Sequence, residues 1–117
     1  MSESVKNVAP LIHPDRLQSL QRIESLTQQM LDHARAGDWE DVIALAPRQR
    51  LLLTMFFTQP VPSAEADYVL SVTMDLKRLT ELVLSLSDRE RTRVGNELHG
   101  MRRAHQGVAA YEAGQTG

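Results

Sequence analysis

The stretch that decides the fold is residues 63–105, SAEADYVLSVTMDLKRLTELVLSLSDRERTRVGNELHGMRRAH. Apolar side chains recur in its first half at alternating steps of three and four residues, at Val69, Val72, Leu76, Leu79, Val83 and Leu86. Because an α-helix has 3.6 residues per turn, these side chains share one face. The spacing therefore predicts a long helix with an apolar seam. About forty residues at 1.5 Å each would extend over roughly 60 Å, more than any other predicted helix.

Two shorter helices are predicted before the long one. Asp15 can cap a first helix, which ends at Gly37, where glycine can adopt the left-handed conformation. Asp38 follows at once as the N-cap of a second helix, so this tight turn makes the two helices antiparallel. Pro47 removes a backbone donor from the second helix, but the apolar pattern resumes at Leu51, which favours a kink over a stop.

The predicted fold is therefore all-α, an antiparallel helical bundle of three to four helices with a long third helix. The number of helices depends on Ser87, which begins seven residues without an apolar side chain. Ser87 and Glu90 have capping-box spacing, so either one helix continues through solvent or a fourth helix begins there. We predict a flexible N-terminal arm at residues 1–14, a helical domain at residues 15–111 and a disordered tail at residues 112–117.

Composition excludes several classes of protein. A chain of 117 residues with 42% hydrophobic content makes one domain with a real core. Its formal net charge of −2 argues against direct binding of nucleic acid, and the absence of cysteine excludes disulfides and thiol chemistry. The N-terminal residues lack the basic and apolar regions of a signal peptide, and the apolar stretch at residues 51–57 is too short for a membrane span. We expect a soluble cytoplasmic protein.

The sequence offers no pattern for catalysis, cofactor binding or metal binding. His99 and His105 lie six residues apart, which is a poor helical spacing for two metal ligands. Asp38, Glu40 and Asp41 form an acidic cluster that helix capping and a helix N-terminus explain. A phosphate-binding glycine loop and a nucleophile with partners are both missing from the pattern. We therefore expect no enzyme, no cofactor and no metal site.

The second helix carries more apolar residues than one packed face needs. Neighbours on a helix are 100° apart, so Leu51, Leu52 and Leu53 cannot all point into one seam. Exposed apolar patches mark binding grooves or oligomer interfaces, and burial in a core is the alternative. We predict a partner-binding groove between the second and third helices, lined by Leu52, Phe56, Phe57, Val69, Val72, Leu76, Leu79 and Val83. In such a groove, Leu76→Asp would abolish partner binding and leave helicity largely intact.

Two stretches of the sequence resemble a known family. Residues 30–41, MLDHARAGDWED, with the Leu-rich residues that follow, resemble the first hairpin of the FliT-type flagellar export chaperones. Residues 98–111, LHGMRRAHQGVAAY, resemble the ending of that family, where a Leu- and Arg-containing stretch leads to a final Ala-Tyr. The sequence departs from the family at Pro47, where a good helix former is usual. The resemblance extends over about residues 17–111.

The resemblance implies a function. A FliT-like protein is a small helical bundle in the bacterial cytoplasm that binds the C-terminal helical region of the flagellar filament-cap protein in an apolar groove. It keeps this cargo unassembled and delivers it to the export apparatus, including the export ATPase. In some members a C-terminal segment regulates access and a flagellar transcription regulator is a further partner. The corresponding residues here are Arg102, Arg103, Val108 and Tyr111.

The apolar excess has a second interpretation, from another class of protein. The chain would be a structural or regulatory helical homo-oligomer, in which the same apolar face closes a homodimer. Arg89, Arg91 and Arg93 would then belong to a basic patch that contacts a flagellar transcription regulator.

Overall fold

The computed structural model describes residues 12–116, without the side chains of residues 112, 113, 115 and 116. Within this range the chain is helical and contains no strand, which confirms the all-α prediction with its long third helix. Its elements are α1 at Pro14–Ala36, α2 at Trp39–Phe56, a 3-10 turn at Ser63–Glu65 and α3 at Ala66–Thr116. The chain divides into two compact units, of which the first ends at Leu84 and the second begins at Ser85.

Helix α1 begins two residues earlier than predicted. His13 is the N-cap, and its Nδ1 accepts a hydrogen bond from the backbone N–H of Asp15 at 3.1 Å. Pro14 occupies the first helical position, where its missing N–H costs no intrahelical bond. The predicted cap at Asp15 is therefore wrong, and Asp15 lies in the first turn, where a negative charge is favourable. The helix ends as predicted at Gly37, which has a left-handed φ of 80°.

Helix α2 continues through Pro47, so this proline does not end the helix. Asp38 holds the N-cap position as predicted, but its side chain makes no capping hydrogen bond. One face of the helix is buried, with Val42, Gln49 and Phe56 spaced seven residues apart. Burial of this face offsets the backbone hydrogen bond that Pro47 cannot make, since tertiary packing supplies most of the stability of a helix in a protein.

The core of the first unit joins all three helices. Its buried residues are Ile12, Leu20, Ile23, Phe56, Val69, Val72 and Leu76, with Leu17, Leu52, Leu53, Val61 and Tyr68 packed against them. Each fully buried side chain of this size contributes about 1.5–3 kcal/mol of hydrophobic free energy. The seam that the sequence places on the third helix is therefore covered by α1 and α2 of the same chain.

A buried polar network also links the three helices. Gln49 on α2 is 5% exposed, and its Nε2 donates to Thr27 Oγ1 of α1 at 2.9 Å and to Thr80 Oγ1 of α3 at 3.3 Å. Each threonine hydroxyl donates in turn to the carbonyl four residues earlier, that of Ile23 or Leu76, at 2.8 Å. Buried polar groups are tolerated when they are hydrogen-bonded, and this network fixes how the helices align.

A buried carboxylate ties the start of α1 to the start of α3. Glu65 is 4% exposed and accepts two hydrogen bonds from the Arg16 guanidinium, at 2.5 and 2.6 Å. Its Oε1 also accepts from the backbone N–H of His13 at 2.6 Å. The hydrogen bonds from Arg16 lower the pKa of Glu65, and they prevail over the burial that acts in the opposite direction.

The second unit contains the rest of α3. This helix continues through Ser87, so of the two alternatives the structure has one continuous helix. Arg93 bridges two turns, since Nη2 lies 2.5 Å from Glu90 Oε1 and Nη1 lies 2.6 Å from Glu97 Oε1. Oppositely charged residues at these spacings support a solvent-exposed helix. The hydrogen bonds between Arg93 and Glu90 raise the pKa of Arg93 and lower that of Glu90.

The predicted ends of the domain differ from the observed elements. Ile12 and Pro14 were assigned to the arm, yet Ile12 is 8% exposed in the core and Pro14 begins α1. The remainder of the predicted arm, residues 1–11, lies outside the described residues. At the other end, α3 runs past the predicted tail boundary to Thr116, and Gly117 lies outside the described residues.

The Glu65 pair gives the stability of the protein a defined pH dependence. The folded-state pKa of Glu65 lies below its ordinary value of 4.5. The pair therefore stabilises the folded protein above pH 4.5, and this stabilisation is lost as the pH falls through the folded-state pKa. We expect Glu65→Gln to melt at a lower temperature at neutral pH and to lose less stability than the wild type on acidification. Thermal denaturation followed by circular dichroism between about pH 7 and about pH 3 measures both effects.

Glu81 supplies the matched control, because it is exposed and makes no ion pair among the described residues. Glu81→Gln should follow the wild-type curve at every pH. A Glu65→Gln curve parallel to the wild-type curve would show that the pair contributes nothing to acid sensitivity.

The burial of the seam changes what Leu76→Asp should do. Leu76 is 3% exposed, whereas Leu70 on the same helix is 59% exposed. A charge at position 76 would be placed in the core, so we expect loss of at least about 3 kcal/mol of unfolding free energy. Leu70→Asp should cost less than about 1 kcal/mol. Urea denaturation of both variants compares them, and equal stability of the two would contradict the observed packing.

Candidate functional site

The structure places most of the predicted groove residues in the core of the first unit. Phe56, Val69, Val72, Leu76 and Val83 are between 3% and 9% exposed. Leu52 and Leu79 are half-buried, and Phe57 alone among the eight is 47% exposed. The chain's own helices thus cover the seam. An apolar pattern in the sequence is the same whether the chain itself or a partner covers the face. The role of these eight residues in partner binding stays a prediction.

Large apolar side chains that the prediction passed over lie exposed beside the buried seam. They are Ile43 on α2, which is 71% exposed, and Leu70 and Leu84 on α3, which are each 59% exposed. Together with Phe57 they form what we call the α2–α3 surface. All four residues belong to the first unit. The signal for Leu70 and Leu84 was present in the sequence as an apolar face wider than one seam.

The position of Leu70 and Leu84 around α3 follows from two hydrogen bonds. Glu65, at the start of α3, pairs with Arg16 of α1, whereas Thr80 accepts from Gln49 of α2. At 100° per residue, Leu84 and then Leu70 follow Thr80 around the helix on the side away from Glu65. Leu84 and Leu70 therefore lie on the side of α3 toward α2. Met74 lies nearly opposite the buried seam, and Leu82 lies on the other side of the helix.

The two ends of the α2–α3 surface follow from the direction of the helices. Phe56 packs in one cluster with Val69, and Gln49 bonds Thr80, so α2 and α3 run antiparallel. Phe57 then lies at the same end of the surface as Leu70. The ring of Phe57 meets that of Phe56 edge to face, with centroids 5.0 Å apart and an interplanar angle of 86°. This contact orients one exposed ring against a buried one.

Ile43 and Leu84 lie toward the other end of the same surface, by the same antiparallel alignment. The fourteen steps from Ile43 to Phe57 correspond to about 21 Å at the rise of a helix, the length of a helical segment of about four turns. The α2–α3 surface is therefore elongated, and its residue types offer apolar contact rather than chemistry.

A cluster of His33, Asp38 and Asp41 surrounds the turn between α1 and α2. His33 Nδ1 lies 3.6 Å from Asp38 Oδ2 and 3.6 Å from Asp41 Oδ2. One ligand atom from each residue lies within 4.8 Å of the others, so the set has the donors to hold a cation. Each of these side chains is at least 36% exposed, and the same distances suit an ion pair when His33 is protonated. Sequence reasoning missed this group, because its members approach across the turn.

The predicted regulatory residues all belong to α3 in the second unit. Arg102 and Arg103 are exposed, Val108 is 55% exposed and Tyr111 is 67% exposed. Leu98 and Met101, on the same part of the helix, are 51% and 67% exposed. The regulatory role of this segment stays a prediction.

Between residues 12 and 116, no helix combines the length and apolar character that crossing a membrane requires.

Comparison with known proteins identifies the family. The family model of the flagellar protein FliT matches residues 17–113, well over half of the 117-residue chain. No curated protein and no solved structure gave a match. The resemblance carried by the Ala-Gly-Asp-Trp-Glu turn and the Ala-Tyr ending is thus confirmed over nearly the same range. On this match, the chain belongs to the FliT family of flagellar export chaperones.

Proposed function

We propose that this protein is a cytoplasmic, non-enzymatic export chaperone for the flagellar filament-cap protein. It binds the C-terminal helical region of this cargo, keeps it unassembled and delivers it to the export apparatus, including the export ATPase. Family membership supports the general role. The observation that carries the specific proposal is the α2–α3 surface, whose four large apolar side chains the chain's own helices leave between 47% and 71% exposed.

The α2–α3 surface fits an amphipathic helix. Such a ligand presents apolar side chains at steps of three and four residues, which can contact Phe57 and Leu70 at one end and Ile43 and Leu84 at the other. Of the predicted groove residues, Phe57 remains in the proposed contact set, and the half-buried Leu52 and Leu79 lie beside the core. The buried seam supports the surface from beneath rather than touching the cargo.

The expected affinity is moderate. Each large apolar side chain contributes about 1.5–3 kcal/mol when its exposure is fully removed, and the residues of this surface are partly covered already. Association costs at least about 4 kcal/mol in lost translational and rotational freedom. When the apolar side chains that the cargo helix buries in the same contact are added, the surplus is compatible with a dissociation constant in the micromolar range, at about −8 kcal/mol. Such an affinity suits a cargo that must be released for export.

The second unit favours a second candidate function. Val94, Leu98, Met101 and Val108 are exposed and recur at steps of four, three and seven residues, which places them on one face of α3. That face suits a regulatory homodimer whose adjoining arginines contact a flagellar transcription regulator. The molecular mass in solution distinguishes the two candidates. A stable dimer whose mass does not fall when cargo peptide is added favours the oligomer.

The α2–α3 surface can be tested with paired substitutions. We expect Leu70→Asp and Leu84→Asp each to weaken binding of a peptide from the C-terminus of the same genome's filament-cap protein by at least about tenfold, or about 1.4 kcal/mol. A carboxylate placed there must be desolvated against the apolar face of the peptide. Isothermal titration calorimetry gives the dissociation constants.

Leu51→Asp is the control for these substitutions. Leu51 is 60% exposed on α2 but lies in a groove toward α1, away from the α2–α3 surface. The affinity of the Leu51→Asp variant for the peptide should match that of the wild-type protein. Wild-type affinity in Leu70→Asp and Leu84→Asp would remove this surface from cargo binding, and no binding by the wild-type protein would favour the oligomer.

We keep Arg102, Arg103, Val108 and Tyr111 as a proposed regulatory segment. If this segment limits access to the cargo surface, a chain truncated after Arg93 should bind the same peptide more tightly than the full chain. The same titration compares the two chains. Equal affinity would keep the chaperone function and discard the regulatory role.

A further inference from the structure

A second groove runs between α1 and α2, on the flank of α2 that faces away from the α2–α3 surface. It consists of two pockets of about 480 and 370 Å³, which share Arg22 of α1 and Leu52 of α2. The shared residues make the two pockets neighbours along the same pair of helices. Leu45, Leu51 and Met55 supply further apolar lining from α2. From Leu45 to Met55 the groove follows about 15 Å of helix, or about three turns.

The groove is basic at its rim. Arg22 lines both pockets and Arg48 lines one of them. Both are exposed, and among the described residues neither makes an ion pair or a side-chain hydrogen bond. Arg16 also lines the groove, but Glu65 already occupies its guanidinium. The two unpaired guanidinium groups make this apolar groove locally positive in a chain whose net charge is −2.

Few carboxylates in the groove compensate the positive charge of Arg22 and Arg48. Asp15 is the one carboxylate among the lining residues of the two pockets, and it lies at the far end from Arg48. An unpaired guanidinium beside an apolar surface favours a ligand that brings both a carboxylate and an apolar side chain, because charge complementarity then adds to burial. A neutral or basic helix would bury the same apolar side chains and leave Arg22 and Arg48 without partners.

We propose that this α1–α2 groove is a docking site for an acidic amphipathic helix of a protein other than the cargo. Apolar side chains of the helix pack on Leu51, Leu52 and Met55, and its carboxylates contact Arg22 and Arg48. The groove and the α2–α3 surface use different flanks of α2, so the two ligands bind without sharing residues. The inference stands apart from the proposed cargo surface, since none of its residues belongs to that surface.

The test uses a designed probe. The probe is a fluorescein-labelled helical peptide of about 14 residues, with leucines at helical spacing and glutamates on both flanks of the apolar face. A second peptide carries glutamine in place of every glutamate. We expect the wild-type protein to bind the glutamate peptide at least about tenfold more tightly than the glutamine peptide, and less tightly at high salt. Fluorescence anisotropy measures both affinities.

Arg50 offers a matched control for the charge. It lies two residues from Arg48 on α2, is exposed and makes no side-chain ion pair among the described residues, yet it lines neither pocket. Arg22→Glu and Arg48→Glu should each weaken binding of the glutamate peptide by about tenfold, and Arg50→Glu by less than about twofold. Thermal melting of all three variants confirms that they fold alike.

Three results would overturn the proposal. The first is an absence of binding by the glutamate peptide, or equal binding of the two peptides. The second is an equal loss in Arg50→Glu, which would make the effect one of net charge. The third is displacement of the probe by the cargo peptide in the wild-type protein, which would assign the groove to the cargo. Leu70→Asp keeps probe binding intact, so failure of this groove and failure of the cargo surface are distinguishable.

Discussion

The hydrogen bonds of Gln49 fix the arrangement on which the other features depend. This side chain is 5% exposed and bonds one threonine on α1 and one on α3. A shift of one helical turn in α2 would leave a buried amide without partners, at a cost of about 1–3 kcal/mol. Apolar contacts alone tolerate such shifts better, because they are not directional. The network therefore decides which flank of α2 meets α1 and which meets α3.

That alignment explains why α2 is apolar on more than one side. Its buried face, with Val42 and Phe56, completes the core. The flank toward α1 carries Leu51 and Met55, and the flank toward α3 carries Phe57. A helix with one apolar face needs no more than the first set. The remaining apolar residues are consistent with a helix that offers binding surface on both flanks. Pro47 is tolerated within this helix because the buried face holds the helix in place.

The sequence predicts the helices better than it predicts what packs on each face of a helix. The seam of α3, the turn at Gly37 and the continuity of α2 past Pro47 each follow from local rules of spacing, glycine conformation and resumed periodicity. The same seam predicts partner contact at Leu76, which is 3% exposed under the chain's own helices, because periodicity identifies an apolar face and not what covers it. Glu65 and His33 were also missed. Their partners, Arg16 and the pair Asp38 and Asp41, approach only after the helices fold together.

The relation between the two proposed surfaces follows from the same network. Coupling between two sites requires an element with two arrangements that each ligand stabilises differently. The element that both surfaces share is α2, and the hydrogen-bonded Gln49 holds it in a single register with Thr27 and Thr80. A ligand that binds the flank of α2 toward α1 therefore cannot act by shifting α2 to a second register. We therefore propose that the two surfaces bind their ligands independently and that the cargo is released by a competitor for Leu70 and Phe57.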